Sequence, residues 1–254
     1  MVRRVLGRRV DVSGRCVASW AGVSTSWAGA SRLGQAPSGH WPHWLNLKCV
    51  FIFFAIQGDA FWQRTLKAHA STVNLDLSHR NINDRGAYTI AHFIENNPYL
   101  KVLDVSENHI TGRGLAFIAQ ALCRNRVLRE LDVSCNPLSD GLGLMDFCKQ
   151  VGVFNNKLSL LSLRMCRLNG YHCYALSELI RHSRSITRLD LSFNEFGVLG
   201  GELLINSISK NFNLLEVLLD ACRMDTEATT DISTHLKSNK AEKHRDLTKR
   251  PAFK

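Results

Sequence analysis

From residue 73 onward the apolar positions follow two alternating rhythms. LDLS at 75, LDVS at 103, LDVS at 131, LSLR at 161, LDLS at 189 and VLLD at 217 each place an apolar residue first and third, with a polar residue between them in all but the last. This period of two predicts a short strand with one buried face. A helical rhythm follows each strand: Ile90 with Ile94, Ile118 with Leu122, Leu176 with Ile180, Leu204 with Ile208, and Ile232 with Leu236 are pairs four apart. Such a pair forms one apolar stripe on a helix. The strand starts recur at spacings of 28, 28, 30, 28 and 28. A fixed period in this range predicts a stack of strand–helix units that bury their apolar faces only against neighbours.

Three other positions recur. Five residues after each strand start come Arg80, Asn108, Asn136, Cys166, Asn194 and Cys222. A buried Asn there can bond the backbone of the turn leaving the strand, and Cys is a small, weakly donating substitute. Ile82, Ile110, Leu138, Leu168, Phe196 and Met224 close the core two residues later. Asn97, Asn125, Asn155, Asn211 and Asn239 are expected at helix ends, where Asn tolerates the left-handed cap conformation. Gly86, Gly114 and Gly200 are read as turn residues, and the two extra residues of the third unit, around VGVFNN, as a bulge on the helix side.

The pattern LxxLxLxxN/CxL, with a glycine and a helix in each period, resembles the leucine-rich repeats of the ribonuclease-inhibitor-like subfamily. The resemblance covers residues 73 to 240, with Arg80 departing from it in the first clear unit. It implies an α/β fold, a curved horseshoe solenoid with a parallel sheet on the concave face and helices on the convex face. It further implies protein ligands on the concave face. Gly58 lies one repeat period before Gly86, and GDAFWQRTLKAHAST at 58 to 72 parallels a helix half, so 45–72 reads as a degenerate capping unit. The expected organisation is a basic, Trp/Ser/Gly-rich disordered leader at 1–44, the repeat domain at 45–240 and a basic tail at 241–254.

Charge sharpens this division. Residues 1–44 hold six arginines against Asp11, residues 237–254 hold seven Lys/Arg against two acids, and 45–236 balance, so the chain's net +10 lies in the two ends. A nucleic-acid groove needs its cationic excess on the folded body, so none is expected there. The longest apolar run, CVFIFFAI at 49–56, is shorter than the roughly 18 residues of a spanning helix, so no transmembrane segment is expected. The eight cysteines form no CxxC pair, which favours a reducing, cytoplasmic setting over a disulfide framework. Competing readings are mitochondrial targeting by the arginine- and serine-rich leader and, by analogy of fold, a ciliary or cytoskeletal location.

Candidate chemistry is sparse. Asp76, Asp104, Asp132 and Asp190 point to the concave surface, the first three as an acidic ladder that could attract a basic partner or a cation. The competing explanation is structural, since LDLSxN is the usual wording of such repeats. Paired carboxylates need a water-excluding cleft for acid–base work, and an open sheet supplies none. The spacing of Cys166, His172 and Cys173 matches no zinc site. No cofactor, metal or catalytic set is expected. The ladder breaks in the later units, where Leu160, Arg164, Met165, Arg188, Phe193 and Leu218 fall on one side of the sheet. Arg, Met and aromatic residues are enriched at interface cores, so these six residues form the candidate partner-binding patch. The function expected is a non-catalytic scaffold or adaptor. The alternatives are a GTPase-activating-type regulator, or a repeat fragment of a larger sensor or of a ciliary or cytoskeletal protein. Neither the partner nor the oligomeric state is legible.

Overall fold

The computed structural model describes residues 59–249, with side-chain surroundings for 62–245. The expected leader at 1–44 and the strand half of the capping unit lie outside the described residues. Six three-residue strands alternate with helices: α1 (Asp59–Ala68), β1 (Asn74–Asp76), α2 (Asp84–Asn96), β2 (Val102–Asp104), α3 (Gly112–Arg124), β3 (Glu130–Asp132), α4 (Gly141–Phe154), β4 (Leu160–Ser162), α5 (Cys173–His182), β5 (Arg188–Asp190), α6 (Gly197–Ile208), β6 (Glu216–Leu218) and α7 (Thr226–Lys249). A 3₁₀ turn at Gly170–His172 leads into α5. The strands form one open parallel sheet in the order β1 to β6, each step keeping the repeat register (Leu75, Leu103, Leu131, Leu161, Leu189 and Val217 side by side). The fold is therefore an α/β solenoid of strand–helix units.

The two rhythms of the sequence meet in one continuous core between sheet and helices. Leu103, Val105, Ile110, Ile118 and Leu122 of the second unit are fully buried, as are their counterparts in the third. The helix half of the expected capping unit is present: Trp62 and Leu66, one repeat period before Ile90 and Ile94, are buried on α1.

The first asparagine series stitches neighbouring turns. Asn108 Oδ1 accepts from the backbone N–H of Arg80 (2.9 Å) and Ile82 (3.0 Å), while Nδ2 donates to the carbonyls of Leu77, Val105 and Ser106. Asn194 does the same for Cys166 and Leu168 of the preceding turn. Cys166 and Cys222 supply the donor half alone, their thiols facing the Val133 (3.4 Å) and Leu191 (3.2 Å) carbonyls.

Four local expectations need correction. The helix-end asparagines are extended, not left-handed (Asn97 φ −95°, Asn125 φ −69°, Asn155 φ −90°). Their role is carried by the side chain: Asn125 Oδ1 accepts from Val127 and Leu128 N–H, and its Nδ2 donates back to Ile94 O in the previous unit. Asn239 does not end its helix. It donates to Asn211 and Leu214 carbonyls in mid-helix, and α7 runs on to Lys249 because residues 240–249 contain neither Gly nor Pro. The repeated glycines lie inside the first helical turn: a Cβ on Gly114 would stand 2.5 Å from Asp84 Oδ1 and 2.9 Å from Ile110, so close approach, not turn geometry, requires Gly there. The two extra residues of the third unit are divided, one before α4 and one within its 14-residue length against 13 in α2 and α3, so no single bulge forms.

Candidate functional site

The free face of the sheet carries the residues between the buried leucines. Register places Asp76 beside Asp104 and Asp104 beside Asp132, then Ser162, Asp190 and Leu218 in turn. The acidic ladder is thus three residues long, and Asp190 stands apart beyond Ser162. Each of these aspartates is tied to its own turn: the N–H of Ser78, Ser106, Ser134 and Ser192 donates to Asp76, Asp104, Asp132 and Asp190 at 2.8–2.9 Å. The hydroxyls of Ser78 and Ser134 donate to the same carboxylates, and Ser134 Oγ lies 2.6 Å from Ser162 Oγ. A carboxylate that fastens the end of its strand explains why the Asp-x-Ser wording recurs. Burial pushes the Asp132 carboxyl above its ordinary value; hydrogen bonds from Ser134 oppose the shift, and the Asp104 charge adds to it.

Where the ladder breaks, the surface changes character. Leu160, Ser162, Arg188 and Leu218, with Asp132, Asp190 and Glu216, line an open hollow of about 210 Å³. The small Ser162 leaves the gap, and Arg188 is held at its edge by Glu216 (Nε to Oε2, 2.9 Å). Arg164 lies over the Phe193 ring, 4.0 Å from its centroid, a cation–π geometry. Met165 Sδ is 3.9 Å from Cys135 Sγ. The six patch residues therefore occupy two neighbouring clusters, with Leu160, Arg188 and Leu218 at the hollow and Arg164, Met165 and Phe193 along its edge. Glu216 is the contributor that residue types alone did not single out. Its signal was positional, since it lies one repeat period after Arg188 and hence directly across from it.

The edge cluster depends on an unusual backbone. His79, Glu107, Cys135, Met165, Phe193 and Ala221, one per unit, have φ between 53° and 60°. Non-glycine residues rarely adopt this left-handed conformation, and a bulky one such as Phe193 does so only where surrounding structure enforces it. Enforcement comes from the neighbouring strand: the Met165 and Phe193 N–H groups donate to Ser192 O (2.9 Å) and Asp220 O (2.7 Å).

The His–Cys group has a different use. His172 is buried in a capping box, its Nδ1 beside Asn169 (2.8 Å to Oδ1, 3.1 Å to the N–H), while Nε2 lies 3.4 Å from Ser139 O. Cys166 and Cys173 are buried core thiols; burial raises both, Cys173 to about 12. Among the described residues no group of three His, Cys, Asp or Glu is placed to hold a metal, and no helix is long and apolar enough to cross a membrane.

An open parallel sheet built from recurring strand–helix steps, stitched by Asn and Cys at one position of the repeat, defines a repeat solenoid. The family model described as "Leucine Rich repeat" matches residues 96–119, 124–141 and 182–204, and the chain is a leucine-rich repeat protein. It is 30% identical over 102 residues to the mouse (Mus musculus) "NACHT, LRR and PYD domains-containing protein 12", and 33% identical over 114 residues to the human (Homo sapiens) protein of that name. These matches cover 40% and 44% of this chain but only 10% and 11% of those proteins, so the match spans about a tenth of the relatives' length. Among solved structures, "Leiomodin-1 Actin-Binding Site 2 (ABS2)" is similar at 13% identity with a TM-score of 0.49, over 74% of this chain and 92% of that one.

Proposed function

We propose that the array is a non-catalytic protein-interaction module of the ribonuclease-inhibitor-like kind, which binds a protein partner on its concave face through Leu160, Arg164, Met165, Arg188, Phe193 and Leu218. The observation that carries the reading is the hollow at Ser162. It is the point where a face lined by Asp and Ser gives way to Leu160 and Leu218 beside a held guanidinium. Apolar and Arg anchors in a recess, with polar groups around them, are what hot spots of recognition look like. The aspartates of the same face are engaged in turn fastening, which favours a structural over an acid–base role. The 28-residue period, broken once at 30, and the Asn/Cys alternation support the subfamily. Free thiols at Cys123, Cys135, Cys148, Cys166, Cys173 and Cys222 accord with a cytoplasmic setting.

A second reading, that these repeats serve as the ligand-reading segment of a larger multidomain protein, is favoured by the partial match to the NACHT, LRR and PYD domains-containing relatives. Both readings place recognition on the same surface.

The test is an Arg164→Ala, Phe193→Ala, Leu218→Ala triple variant compared with the native chain in cross-linked capture from cell extract, after matching circular dichroism. Loss of a specific partner by the variant is expected, with affinity for that partner reduced at least about tenfold, because anchors of this kind cost about 2 kcal/mol or more when truncated. Equal capture of the same partner by both proteins would remove the patch from the account.

A further inference from the structure

A second surface lies on the helices, independent of the free face of the sheet. One residue in the first helical turn of each unit is exposed at the same place, and along the array these residues read Arg85, Arg113, Leu142, Tyr171, Leu199 and Glu227. They are neighbours in space because consecutive first turns touch. Asp84 accepts from the N–H groups of Thr111 and Gly114 (2.8 and 3.1 Å), which sets Arg85 beside Arg113. A Cβ added to Gly143 would lie 2.1 Å from the Gly112 backbone, and one on Gly141 would lie 3.9 Å from His172. One on Gly170 would lie 2.9 Å from Phe196 O, and one on Gly201 would lie 3.4 Å from Ala228. The row is therefore continuous from α2 to α7.

Its composition is ordered as two cations, three large apolar side chains and an anion. Leu142, Tyr171 and Leu199 are 81%, 92% and 75% exposed, the largest such values for large hydrophobics among the described residues. Three adjacent side chains of this size in water form a patch of the kind that marks an interface. Arg85, Arg113 and Glu227 make no ion pair among the described residues. The row is thus charged oppositely at its two ends, and neither end is neutralised by an ion pair there.

Run backwards against itself, a row of this order brings its cationic end onto its anionic end and its apolar middle onto itself. We propose that its occupant is a second copy of this chain, related by a two-fold axis passing between Leu142 and Tyr171. Under that operation Leu142 of each copy meets Tyr171 of the other, Arg113 meets Leu199, and Arg85 meets Glu227. An isologous contact has this form, because each pair occurs twice. The Leu142–Tyr171 pairs fill the centre, Arg113 lies over Leu199 on either side of them, and the Arg85–Glu227 pairs close the rim, so apolar contact gives way to charge outward as in the usual anatomy of an interface. Charge complementarity selects the antiparallel register, since a parallel overlay would set arginine against arginine. A partner of a different kind would need its own matching gradient of charge; a second copy supplies it by symmetry.

The experiment is sedimentation velocity on the full 254-residue chain over a wide concentration range, with four variants. The native chain should shift from its 28.6 kDa mass toward twice that value as concentration rises. Tyr171→Asp should weaken this association at least about tenfold, since it places a charge at the apolar centre. Arg85→Glu and Glu227→Arg should each weaken it, and the two together should restore it, because reversing both members recreates the pair across the two-fold. All the substitutions fall on exposed positions, and an unchanged circular dichroism spectrum and melting temperature verify the fold. A native chain that stays monomeric throughout, a dimer indifferent to Tyr171→Asp, or a double reversal that fails to restore association would each overturn the proposal. None of these results bears on the patch of the sheet face, whose variant carries none of the same residues.

Discussion

Asp132 shows what a single residue contributes to this surface. Its carboxylate accepts from the Ser134 N–H and hydroxyl, yet it is enclosed between Asp104 and Ser162, and burial raises its pKa. For an acid whose folded value is raised, the native state keeps its proton to a higher pH than the unfolded chain does. The resulting penalty is fully present above the folded value. It fades as pH falls through that value and is gone below the unfolded value near about 3.9. Asp132→Asn keeps an acceptor for the Ser134 N–H and removes the charge. Urea unfolding of this variant should show unchanged or higher stability at neutral pH and a flatter pH dependence above about pH 4. A variant that is less stable at neutral pH with the native slope would mean that the hydrogen bonds outweigh the desolvation. This residue was legible in the sequence as an outward-facing acid of its strand, and register sets it in line with Asp104 and Asp76. Its turn-fastening bonds were not legible, because the same Asp-x-Ser wording fits a ligand-binding acid equally well.

At the scale of elements, the unit boundary is held by Asn side chains, not by strand pairing alone. Asn136 Oδ1 accepts from Ile110 N–H (2.9 Å), while Nδ2 donates to the Val105 (3.0 Å) and Val133 (2.9 Å) carbonyls, so one side chain joins the ends of β2 and β3 to the turn between β2 and α3. Asn136→Ala strands several buried backbone groups at about 1–3 kcal/mol each, so a loss on the order of 3 kcal/mol is expected in denaturant unfolding. Asn136→Cys should cost roughly half as much, since a thiol retains the donor half, as Cys166 does, and forfeits the acceptor half. Equal losses would deny the Cys substitution its hydrogen-bonding rationale. The recurring Asn/Cys position was read correctly from period and chemistry. The helix-end asparagines were assigned to the wrong mechanism, because a left-handed cap and an extended residue with a bonding side chain leave the same mark in a sequence. The glycines were misplaced for a similar reason: a small residue required by a neighbouring helix looks identical to one required by its own φ.

At the scale of the molecule, each unit touches only its neighbours, so the array should fail locally at its ends. Trp62 covers Gly86 from α1, its Nε1 lying 3.6 Å from where a Gly86 Cβ would stand. Truncating such a side chain usually costs about 3–5 kcal/mol. In a one-dimensional stack the loss is confined to the adjacent interface. Hydrogen exchange of Trp62→Ala should lose protection in residues 59–96 while the amides of β3 to β6 keep theirs. A uniform loss would make the array one cooperative block. The helix row and the patch of the sheet face also belong to this scale, since each is assembled from several units, none of which is an interface alone.

The sequence by itself determined the number of units, their period, the inward and outward residues of every strand, and the existence of a stitched core. These follow from periodicities of 2 and 3.6 that the backbone imposes wherever water is excluded. Tertiary structure decided which outward residues meet: the Arg188–Glu216 pair, the Arg164–Phe193 stack, the hollow at Ser162, and the contiguity of the exposed row from Arg85 to Glu227. Those contacts join residues at least one repeat period apart. They depend on strand register, on left-handed φ values at Met165 and Phe193, and on how closely glycine lets one helix approach the next. No local pattern encodes these quantities, because they are set by the packing of one unit on another.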